Sequence, residues 1–344
     1  MTTVHVVLPN DIDDPATPSG GNTYDRRVCA GLAALGWSVR EHPVPGGWPY
    51  PSTVDVQRLD RVLYRIPDGA TVLLDGLVAS AAPDPLARHG NRLRAVVLVH
   101  LPREDAAEGA ALPAARAVVA TSGWTRDRLL HRYRLPADRI HVAPPGVDPA
   151  PEAAGPGTGT ALVSVAAVVP HKGHDRLAQA LAKVADLPWT AAWVGPLDRD
   201  PEFVTRLRQQ VAADGLADRI ALTGPCTGAA LAATYAAADL LVLASRRETY
   251  GMVVTEALAR GIPVLATAVD GLPEALGRAP DGGRPGLLVP PDDPAAMADA
   301  LRRWLTEPEL RGRLRRSARK RRPTLAGWSA TAAQISKILN RVGT

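Results

Sequence analysis

The sequence predicts an α/β protein built from two doubly wound domains. Short apolar runs rich in Val and Leu alternate with segments of helical spacing, a pattern typical of parallel strands that are buried on both faces. A stretch rich in Pro and Gly, residues 143–160, interrupts this alternation, which then starts again. The length of 344 residues suits about two domains of ordinary size.

The first half opens with an apolar run at residues 4–8. No basic residue precedes this run, so we expect a first strand there rather than a signal peptide. Residues 23–35 follow, and their Val28, Leu32 and Leu35 recur at helical spacing. Further apolar runs predict strands at residues 37–39, 71–74, 95–99, 117–120 and 140–142.

Residues 143–160 contain five Pro and four Gly, and we expect them to form an interdomain linker. Beyond them, strands are predicted at 162–169, 190–194, 220–223, 240–244, 263–266 and 286–289, with helices between them at about 173–185, 201–214, 228–238, 251–260 and 294–306. The predicted domains span residues 1–150 and 155–322, and a helix at about 323–344 is expected to pack back on the first. Two such domains form a cleft facing the carboxyl ends of their strands, where α/β sheets bind ligands.

Composition excludes several classes of protein. No apolar run approaches the roughly 18 residues of a membrane-spanning helix. Cys29 and Cys226 are the only cysteines, too few for a disulfide framework or, by themselves, a zinc site. We therefore expect a protein of the reducing cytoplasm.

The net charge of +5 comes from one short segment. Residues 1–150 carry 16 Arg and 16 acidic residues, whereas the stretch from Arg311 to Arg322 holds eight basic residues and no acid. A solvated helix face is the favoured interpretation of this stretch, with Leu310 and Leu314 as its apolar points. The alternative is a module that binds nucleic acid or a membrane surface. We expect no nucleic-acid partner, and we leave open a weak membrane-surface contact through this segment.

Common nucleotide-binding and hydrolase motifs are absent. No GxGxxG follows the first strand, and no GxxxxGK[ST] occurs, which disfavours an NAD enzyme and a P-loop NTPase. The chain also lacks HExxH and a GxSxG nucleophile elbow.

Two glycine-containing segments lie between a predicted strand and a predicted helix. Residues 19–22 include Gly20 and Gly21, which let the backbone approach a ligand where free N–H groups attract phosphate. A plain turn is the alternative. Residues 170–174 hold the corresponding place in the second domain, where Lys172 is placed to pair with a diphosphate. The alternative there is an exposed surface lysine, and the neighbouring histidines fit solvated loop positions.

Three further side chains stand at predicted strand ends or helix starts. Glu248 follows the strand at 240–244, and Glu256 lies in the next helix, about 7 Å along it if the helix starts near Gly251. Ionised carboxylates accept hydrogen bonds from diols, so each suits a different hydroxylated ring. His100 ends the strand at 95–99, on the ligand side of such a sheet. An exposed helix acid at Glu256 and a satisfied core histidine at His100 are the alternatives.

In these segments the chain resembles the retaining glycosyltransferases of family 4, the glycosyl transferases group 1. The resemblance rests on Gly20-Gly21, on Pro145-Gly146-Val147-Asp148 and on Pro170-His171-Lys172-Gly173. It is strongest over residues 237–274, whose two glutamates, Glu248 and Glu256, have the family's Glu-x7-Glu spacing. The resemblance implies the GT-B fold, in which two Rossmann-like domains face a central cleft.

The resemblance also implies an activity. A sugar would move from a nucleotide-diphosphate donor, with a UDP-sugar favoured, to a hydroxyl of a small-molecule or glycan acceptor. The anomeric configuration would be retained, and neither a metal nor another cofactor would be required. The implied catalytic residues are His100, Lys172 and Glu248. The implied donor-binding residues are Gly20, Gly21, Lys172, Glu248, Tyr250, Gly251, Met252 and Glu256.

Each implied role attaches to one position. Lys172 would hold the diphosphate, and Gly21 would approach it from the first domain. Glu248 would contact the transferred sugar, assisted by backbone N–H groups at residues 250–252. Glu256 would bind the ribose, and His100 would reach the sugar near the reacting carbon.

The chain departs from the family pattern at Ala167, where many members carry a second diphosphate-binding Arg, and at Ala244, where Pro is frequent. Arg246, Arg247 and the pair Arg26–Arg27 are the candidates to replace the missing cation.

Two other activities occur on the same fold, nucleotide-sugar epimerisation and retaining sugar phosphorolysis. The acceptor is open as well. The loop at residues 10–19 is acidic through Asp11, Asp13 and Asp14, which suits a polar or cationic acceptor.

Overall fold

The computed structural model describes residues 2–14 and 19–343. The strands are β1 (Thr3–Pro9), β2 (Ser38–Val44), β3 (Thr71–Asp75), β4 (Arg94–Val99), β5 (Ala117–Ala120), β6 (Ile140–Val142), β7 (Ala161–Val165), β8 (Thr190–Val194), β9 (Ile220–Gly224), β10 (Leu240–Leu243), β11 (Val264–Thr267) and β12 (Gly286–Val289). The helices are α1 (Gly20–Ala34), α2 (Thr53–Arg65), α3 (Gly76–Ala79), α4 (Pro83–His89), α5 (Ala106–Ala111), α6 (Gly123–Tyr133), α7 (His174–Ala182), α8 (Pro201–Ala213), α9 (Gly228–Ala236), α10 (Met252–Ala259), α11 (Leu272–Leu276), α12 (Pro294–Thr306), α13 (Pro308–Arg321) and α14 (Trp328–Gly343).

The chain divides into two compact units. Among the described residues, unit 1 comprises 2–14, 19–146 and 326–343, and unit 2 comprises 147–325. The last stretch of the chain therefore belongs to the first unit, and the division falls near residue 146 rather than at 150.

Unit 1 is built on a parallel six-stranded sheet in the order β2-β1-β3-β4-β5-β6. Successive residues of β1 face opposite sides, so Val4, Val6 and Leu8 enter one apolar cluster and Val7 enters the other. Both faces of the sheet are therefore covered, as the apolar runs predict. The edge strand β2 is longer than the predicted run at 37–39, because its exposed positions Arg40 and Glu41 break the apolar pattern.

The final helix α14 completes one face of unit 1. Ile335, Ile338 and Leu339 are buried in the cluster that also contains Val28 and Leu32 of α1. The two helices approach so closely that a Cβ on Gly31 would lie 2.4 Å from the Cβ of Ala332. The indole of Trp37 also donates a hydrogen bond of 2.9 Å to Ser336 Oγ.

Unit 2 has its own parallel six-stranded sheet in the order β12-β11-β10-β7-β8-β9. Counting β7 as its first strand, this is the Rossmann order read from the opposite edge. Leu240 and Val242 of β10 enter one apolar cluster while Leu241 and Leu243 enter the other, so this sheet too is covered on both faces.

The Pro- and Gly-rich stretch is more firmly held than a free linker. The buried Asp239 accepts backbone hydrogen bonds from Gly157, Gly159 and Ala161, and Arg315 of α13 binds the same carboxylate at 2.5 Å. Residues 147–160 therefore lie fixed on unit 2 rather than forming the loose connection that their composition predicts.

The basic segment that sets the net charge lies on α13 and the turn after it. Six of its eight cations bind acceptors within unit 2; they are Arg311, Arg315, Arg319, Lys320, Arg321 and Arg322. The acids among their partners are Asp239, Glu152 and Asp281. This pairing accounts for the cluster without an external anionic partner, and only part of it is the solvated face that the sequence favours.

Candidate functional site

The ligand edge of unit 2 can be located from its topology. The chain leaves β7 toward β8 on one side and enters β10 on the other, so a crevice opens at the carboxyl ends of β7 and β10. The loop after β7 carries Lys172, and the loop after β10 carries Glu248. The fold therefore brings together two candidates that lie 76 residues apart in sequence.

Lys172 and Glu248 form an ion pair, with Nζ 2.5 Å from Oε2. The two side chains are only 19% and 16% exposed. The alternative of a surface lysine is therefore wrong, since Lys172 points into a partly buried carboxylate. The electrostatic interaction between two charged groups is stronger in such a setting, because solvent screens it less.

The loop that carries Lys172 has little freedom. It forms a short 3-10 turn over residues 170–172 and ends at Gly173, whose φ is +71°. A Cβ on Gly173 would lie 1.9 Å from the carbonyl oxygen of Ala244, so only glycine fits. Arg246 fixes the loop from the other side by donating its backbone N–H to His171 O at 2.8 Å.

Arg246 itself is occupied. Its guanidinium forms ion pairs with Asp175 at 2.8 Å and Asp292 at 2.7 Å, and it also donates to the carbonyl of Pro170. Through these partners Arg246 holds the loop that carries Lys172 in place. This structural role weakens the prediction that Arg246 replaces the family's Arg at Ala167 as the diphosphate-binding cation.

The helices that begin at this edge start without a side-chain cap. The N-cap residues of α7 and α10 are Gly173 and Gly251, both in the left-handed conformation, and neither provides a capping oxygen. Met252 is the first residue of α10, directly after Tyr250 and Gly251, and the donor-binding role of these three residues stays a prediction. Uncapped N–H groups and the positive end of the helix dipole favour an anion here.

Glu256 is not the exposed helix acid of the alternative interpretation. It lies partly buried on α10 and accepts a hydrogen bond of 2.9 Å from the hydroxyl of Tyr235 to Oε2. Burial raises the pKa of Glu256, although the Tyr235 hydrogen bond and the charge of Arg260 lower it. No hydrogen bond to Oε1 is found among the described residues, so this oxygen can accept from a ligand hydroxyl.

Additional positive charge lies near the Lys172 loop. The pKa of His171 is lowered mainly by burial, and the charges of Lys172, Arg199 and Arg247 lower it further. Arg199 follows β8, the strand beside β7, so it reaches the same sheet edge. Arg247 lies 3.4 Å from Asp270, whose carboxylate also accepts the backbone N–H of Glu248. Sequence reasoning omitted Arg199, although its place just after a strand was a usable signal.

His174 is a core residue rather than the solvated loop histidine the sequence suggests. It is 1% exposed, and its ring packs edge-on against Trp193 with centroids 5.3 Å apart. Burial lowers its pKa to about 4, so the ring is neutral at pH 7.

Unit 1 presents its own group of side chains at the carboxyl edge of its sheet. His100 follows β4, and its Nε2 lies 2.8 Å from Asp25 Oδ1 on α1 and 3.6 Å from Asp75 Oδ2 at the end of β3. The imidazole is thus nearly buried and hydrogen-bonded to a carboxylate, which agrees with the alternative of a satisfied histidine, and its contact with a sugar stays a prediction. Sequence reasoning missed both aspartates, because α1 and β3 bring them to His100 only in the folded unit.

Gly20 and Gly21 open α1, where Ser19 caps the helix by accepting the N–H of Asn22. A Cβ on Gly21 would lie 3.2 Å from Cδ2 of His100, so this glycine lets the histidine ring pack against the helix start.

In the acidic loop, Asp13 is already paired with Arg26 at 2.5 Å, and Arg26 also binds Glu41. These ion pairs weaken both the acidic-loop hypothesis and the case for Arg26 as the missing cation; residues 15–18 of that loop lie outside the described residues.

No helix in the described part of the chain combines the length and apolarity needed to cross a bilayer.

Comparison with known families matches both halves of the chain. The family model described as Glycosyltransferase Family 4 matches residues 18–151, and the one described as Glycosyl transferases group 1 matches residues 151–321. Lys172, Glu248 and Glu256 fall in the second match, and His100 falls in the first.

Curated relatives support the same assignment. D-inositol 3-phosphate glycosyltransferase 1 of Catenulispora acidiphila is 33% identical over 288 residues, covering 75% of this chain and 67% of the relative. The enzyme of the same type from Pseudarthrobacter chlorophenolicus is 35% identical over 236 residues, covering 64% and 54%. The chain spans little more than half the length of several such relatives.

Solved structures share the fold at low sequence identity. Sucrose-phosphate synthase from Thermosynechococcus elongatus has a TM-score of 0.81 at 23% identity, covering 99% of each chain. HepE from Anabaena in complex with UDP-glucose has a TM-score of 0.77 at 17% identity, covering 99% of this chain and 100% of that one. The chain has the GT-B fold and belongs to glycosyltransferase family 4, the glycosyl transferases group 1.

Proposed function

We propose that the protein transfers a hexose from a UDP-sugar to a hydroxyl of a small-molecule or glycan acceptor, with retention of configuration and without a metal. The observation that carries this proposal is the Lys172–Glu248 ion pair of 2.5 Å at the crevice between β7 and β10. It supplies a cation for phosphate and a carboxylate for sugar hydroxyls at one place.

Donor binding exchanges the partners of this ion pair. A diphosphate offers several anionic oxygens and competes with Glu248 for Lys172 Nζ. Once Nζ binds phosphate, Glu248 is free to accept hydrogen bonds from the hydroxyls of the transferred sugar. The ion pair therefore orients both groups before the donor arrives.

Fixed donors replace a metal at the diphosphate. Lys172 acts together with the uncapped N–H groups at the starts of α7 and α10, including those of residues 250–252. The charges of Arg199 and Arg247 lower the pKa of His171, the neighbour of Lys172. We therefore assign to these two arginines the diphosphate binding that the family's Arg provides at the position of Ala167. Negative charge grows on the diphosphate as its bond to the sugar breaks, and preorganised donors stabilise that charge.

The remaining contacts follow from the other candidates. Glu256 Oε1 accepts a hydrogen bond from the ribose while Tyr235 fixes the opposite oxygen. His100, with Gly21 packed beside it, is assigned to a hydroxyl of the transferred sugar, as the family resemblance implies. The acceptor hydroxyl attacks on the same face that the diphosphate leaves, and the leaving phosphate takes up its proton.

Known proteins support the choice of donor and of acceptors to test. HepE from Anabaena has been crystallised with UDP-glucose. The names of several relatives specify phosphorylated substrates or products, such as D-inositol 3-phosphate and mannosylfructose phosphate. The acceptor panel should therefore combine polyol phosphates and sugar phosphates with their neutral counterparts.

The test begins with a thermal-shift panel of UDP, GDP and their common sugars. We expect UDP and one UDP-sugar to raise the unfolding midpoint through preferential binding to the folded state. Release of UDP is then measured with each acceptor, and proton NMR of the product reports its anomeric configuration. An inverted product would refute retention, and a preference for GDP would refute the assigned base.

Two controls separate the rival activities and the role of metals. An epimerase would convert the nucleotide sugar without an acceptor, and a phosphorylase would need only a sugar and inorganic phosphate. Incubation with a chelator is expected to leave turnover unchanged, whereas a loss restored by a divalent cation would contradict metal independence.

A further inference from the structure

The second cluster of titratable side chains, at the carboxyl edge of unit 1, is built for a more specific task than packing. Asp25 and Asp75 are 3% and 2% exposed, and His100 is nearly buried between them. One oxygen of each carboxyl group and one nitrogen of the imidazole lie within 4.8 Å of one another. The charge of Arg26 lowers the pKa of Asp25, but the Arg26 guanidinium is bound to Asp13 and Glu41 instead.

Two buried carboxyl groups this close cannot both remain ionised. Burial raises the pKa of Asp25 to about 7 and that of Asp75 well above its ordinary value, and the charge of Asp25 raises the latter further. Asp25 Oδ2 is buried and meets no N–H or hydroxyl donor among the described residues. A proton on Asp75 supplies the donor that Asp25 lacks, while Asp75 Oδ1 accepts the backbone N–H of Leu77 at 2.5 Å.

The position of the carboxyl groups decides which nitrogen of His100 carries a proton. Nε2 faces both Asp25 and Asp75, so it is the N–H that donates to Asp25 Oδ1. Burial lowers the pKa of His100, which keeps the ring neutral and leaves Nδ1 as a hydrogen-bond acceptor. Gly21 and the ring of Tyr24, 5.1 Å away at 70°, fix the plane of the imidazole.

We propose that Asp25 and Asp75 are positioning residues that share one proton, hold His100 in its Nε2–H tautomer and leave Nδ1 to accept a hydrogen bond from a sugar hydroxyl. This inference rests on the proposed function, in which His100 contacts the transferred sugar. Metal-binding histidines and the histidine of the Ser-His-Asp triad are oriented by carboxylates in the same way.

The two aspartates differ in their tolerance of an amide. Asp75 acts as a neutral donor, and an asparagine reproduces this: its NH2 group donates to Asp25 and its oxygen accepts from Leu77. Asp25 acts as an anion, and an asparagine there removes the charge that holds the Nε2 proton. Asp75→Asn should therefore be mild, Asp25→Asn more severe, and Asp25→Ala the most severe.

The first measurement is independent of activity. Long-range 15N–1H NMR of histidine-labelled protein, with the His100 signals assigned by comparison with His100→Gln, reports the tautomer. At pH 8 we expect the neutral Nε2–H form in the wild type and in Asp75→Asn, and a mixture of tautomers in Asp25→Ala. A protonated Nδ1 in the wild type, or an unchanged tautomer in Asp25→Ala, would overturn the proposal even if the protein proved inactive.

The second measurement is turnover of UDP-glucose, followed as UDP release with water or an identified acceptor. We expect kcat to fall about 100-fold in Asp25→Ala, the range of lost support for a histidine, and to stay within about threefold in Asp75→Asn. Equal and large losses in both variants, together with a metal ion retained by the purified wild type, would replace the shared proton with a metal site. If no variant and no wild type turns over a nucleotide sugar, the proposed function fails and the tautomer measurement still stands.

The third measurement is the pH profile of kcat. An acid limb near pH 7 is expected from Asp25 in the wild type; Tyr24 and Cys29, the other titratable groups beside it on α1, have raised pKa values and Arg26 stays charged. The limb should persist in Asp75→Asn and disappear in Asp25→Asn, because an amide does not titrate. A limb that is the same in all three proteins would contradict the assignment.

Discussion

Unit 1 and unit 2 differ in how their buried carboxyl groups are paired with positive charge. At the carboxyl edge of unit 1, Asp25 and Asp75 are buried beside a neutral histidine, and burial favours one proton shared between them. At the corresponding edge of unit 2, Glu248 keeps a lysine partner. At the amino end of β10, Asp239 is 3% exposed and also has a cation, because it binds Arg315 together with three backbone N–H groups. Among the described residues, Asp25 and Asp75 of unit 1 are thus left without a bound cation, whereas Glu248 and Asp239 of unit 2 each bind one.

The largest expected effect is the loss of activity when Lys172, the cation at the carboxyl edge of unit 2, is removed. Lys172→Ala should lower kcat/KM by about 10²- to 10³-fold, because the diphosphate loses a fixed donor where charge develops. Steady-state kinetics with the UDP-sugar selected by the thermal-shift panel provide the measurement. The exposed Lys183 at the end of α7 offers the matched control, and Lys183→Ala should behave as the wild type. Equal activity of both variants would show that the ion pair is structural.

A glycine exchange compares the helix starts of the two units. Gly173→Ala places a Cβ against the Ala244 carbonyl in a left-handed residue, and should cost about 3 kcal/mol of unfolding free energy. Gly21→Ala, at the start of α1, meets only the edge of His100 at 3.2 Å and should change stability by less than about 1 kcal/mol. Denaturant unfolding measures both, and equal losses would mean that the backbone near Gly173 relaxes.

Asparagine substitutions at two buried aspartates should shift stability in opposite directions. The pKa of Asp25 is raised from 3.8 to about 7, so the folded state binds more protons than the unfolded state between these values. Its contribution to stability therefore falls as pH rises through that window. At pH 8, Asp25→Asn should raise the unfolding free energy by about 2 kcal/mol and flatten its pH dependence.

Asp239→Asn is the matched comparison in unit 2. It leaves Arg315 without its carboxylate and weakens three backbone hydrogen bonds, so we expect a loss of about 2 kcal/mol at the same pH. Urea unfolding at pH 5 and pH 8 gives both values. Destabilisation by Asp25→Asn at pH 8 would mean that Asp25 is ionised at little cost.

The smallest effect concerns the charge cluster on α13. Arg313 and Arg316 are exposed and bind no acidic group among the described residues, so Arg313→Gln with Arg316→Gln should change stability by less than about 0.5 kcal/mol. Binding to DNA or to anionic vesicles should be weak in the wild type at modest salt. Strong, salt-dependent binding that this double variant abolishes would restore the membrane or nucleic-acid interpretation.

The site residues that could be predicted from the sequence are those that lie in a recognisable local pattern. A strand, a glycine and a helix start recur at Lys172 and Glu248, so their place at a sheet edge follows from a short stretch of chain. Asp25 and Asp75 carry no such local pattern, because their roles depend on which strand ends and helices become neighbours in space. The ion pairs of the basic segment could not be predicted for the same reason, since Glu152 and Asp239 bind it from more than 70 residues away.

The closing helix of unit 1 has a consequence for synthesis of the protein. Unit 1 needs α14, yet residues 147–325 of unit 2 are translated before that helix appears. At about 5–20 residues per second, those 179 residues take roughly 10–35 s. During that interval the face of α1 that carries Gly31 and Leu32 has no covering helix. We therefore expect nascent chains to be most vulnerable to aggregation and proteolysis in this interval, when the second half has emerged and the first is still one helix short.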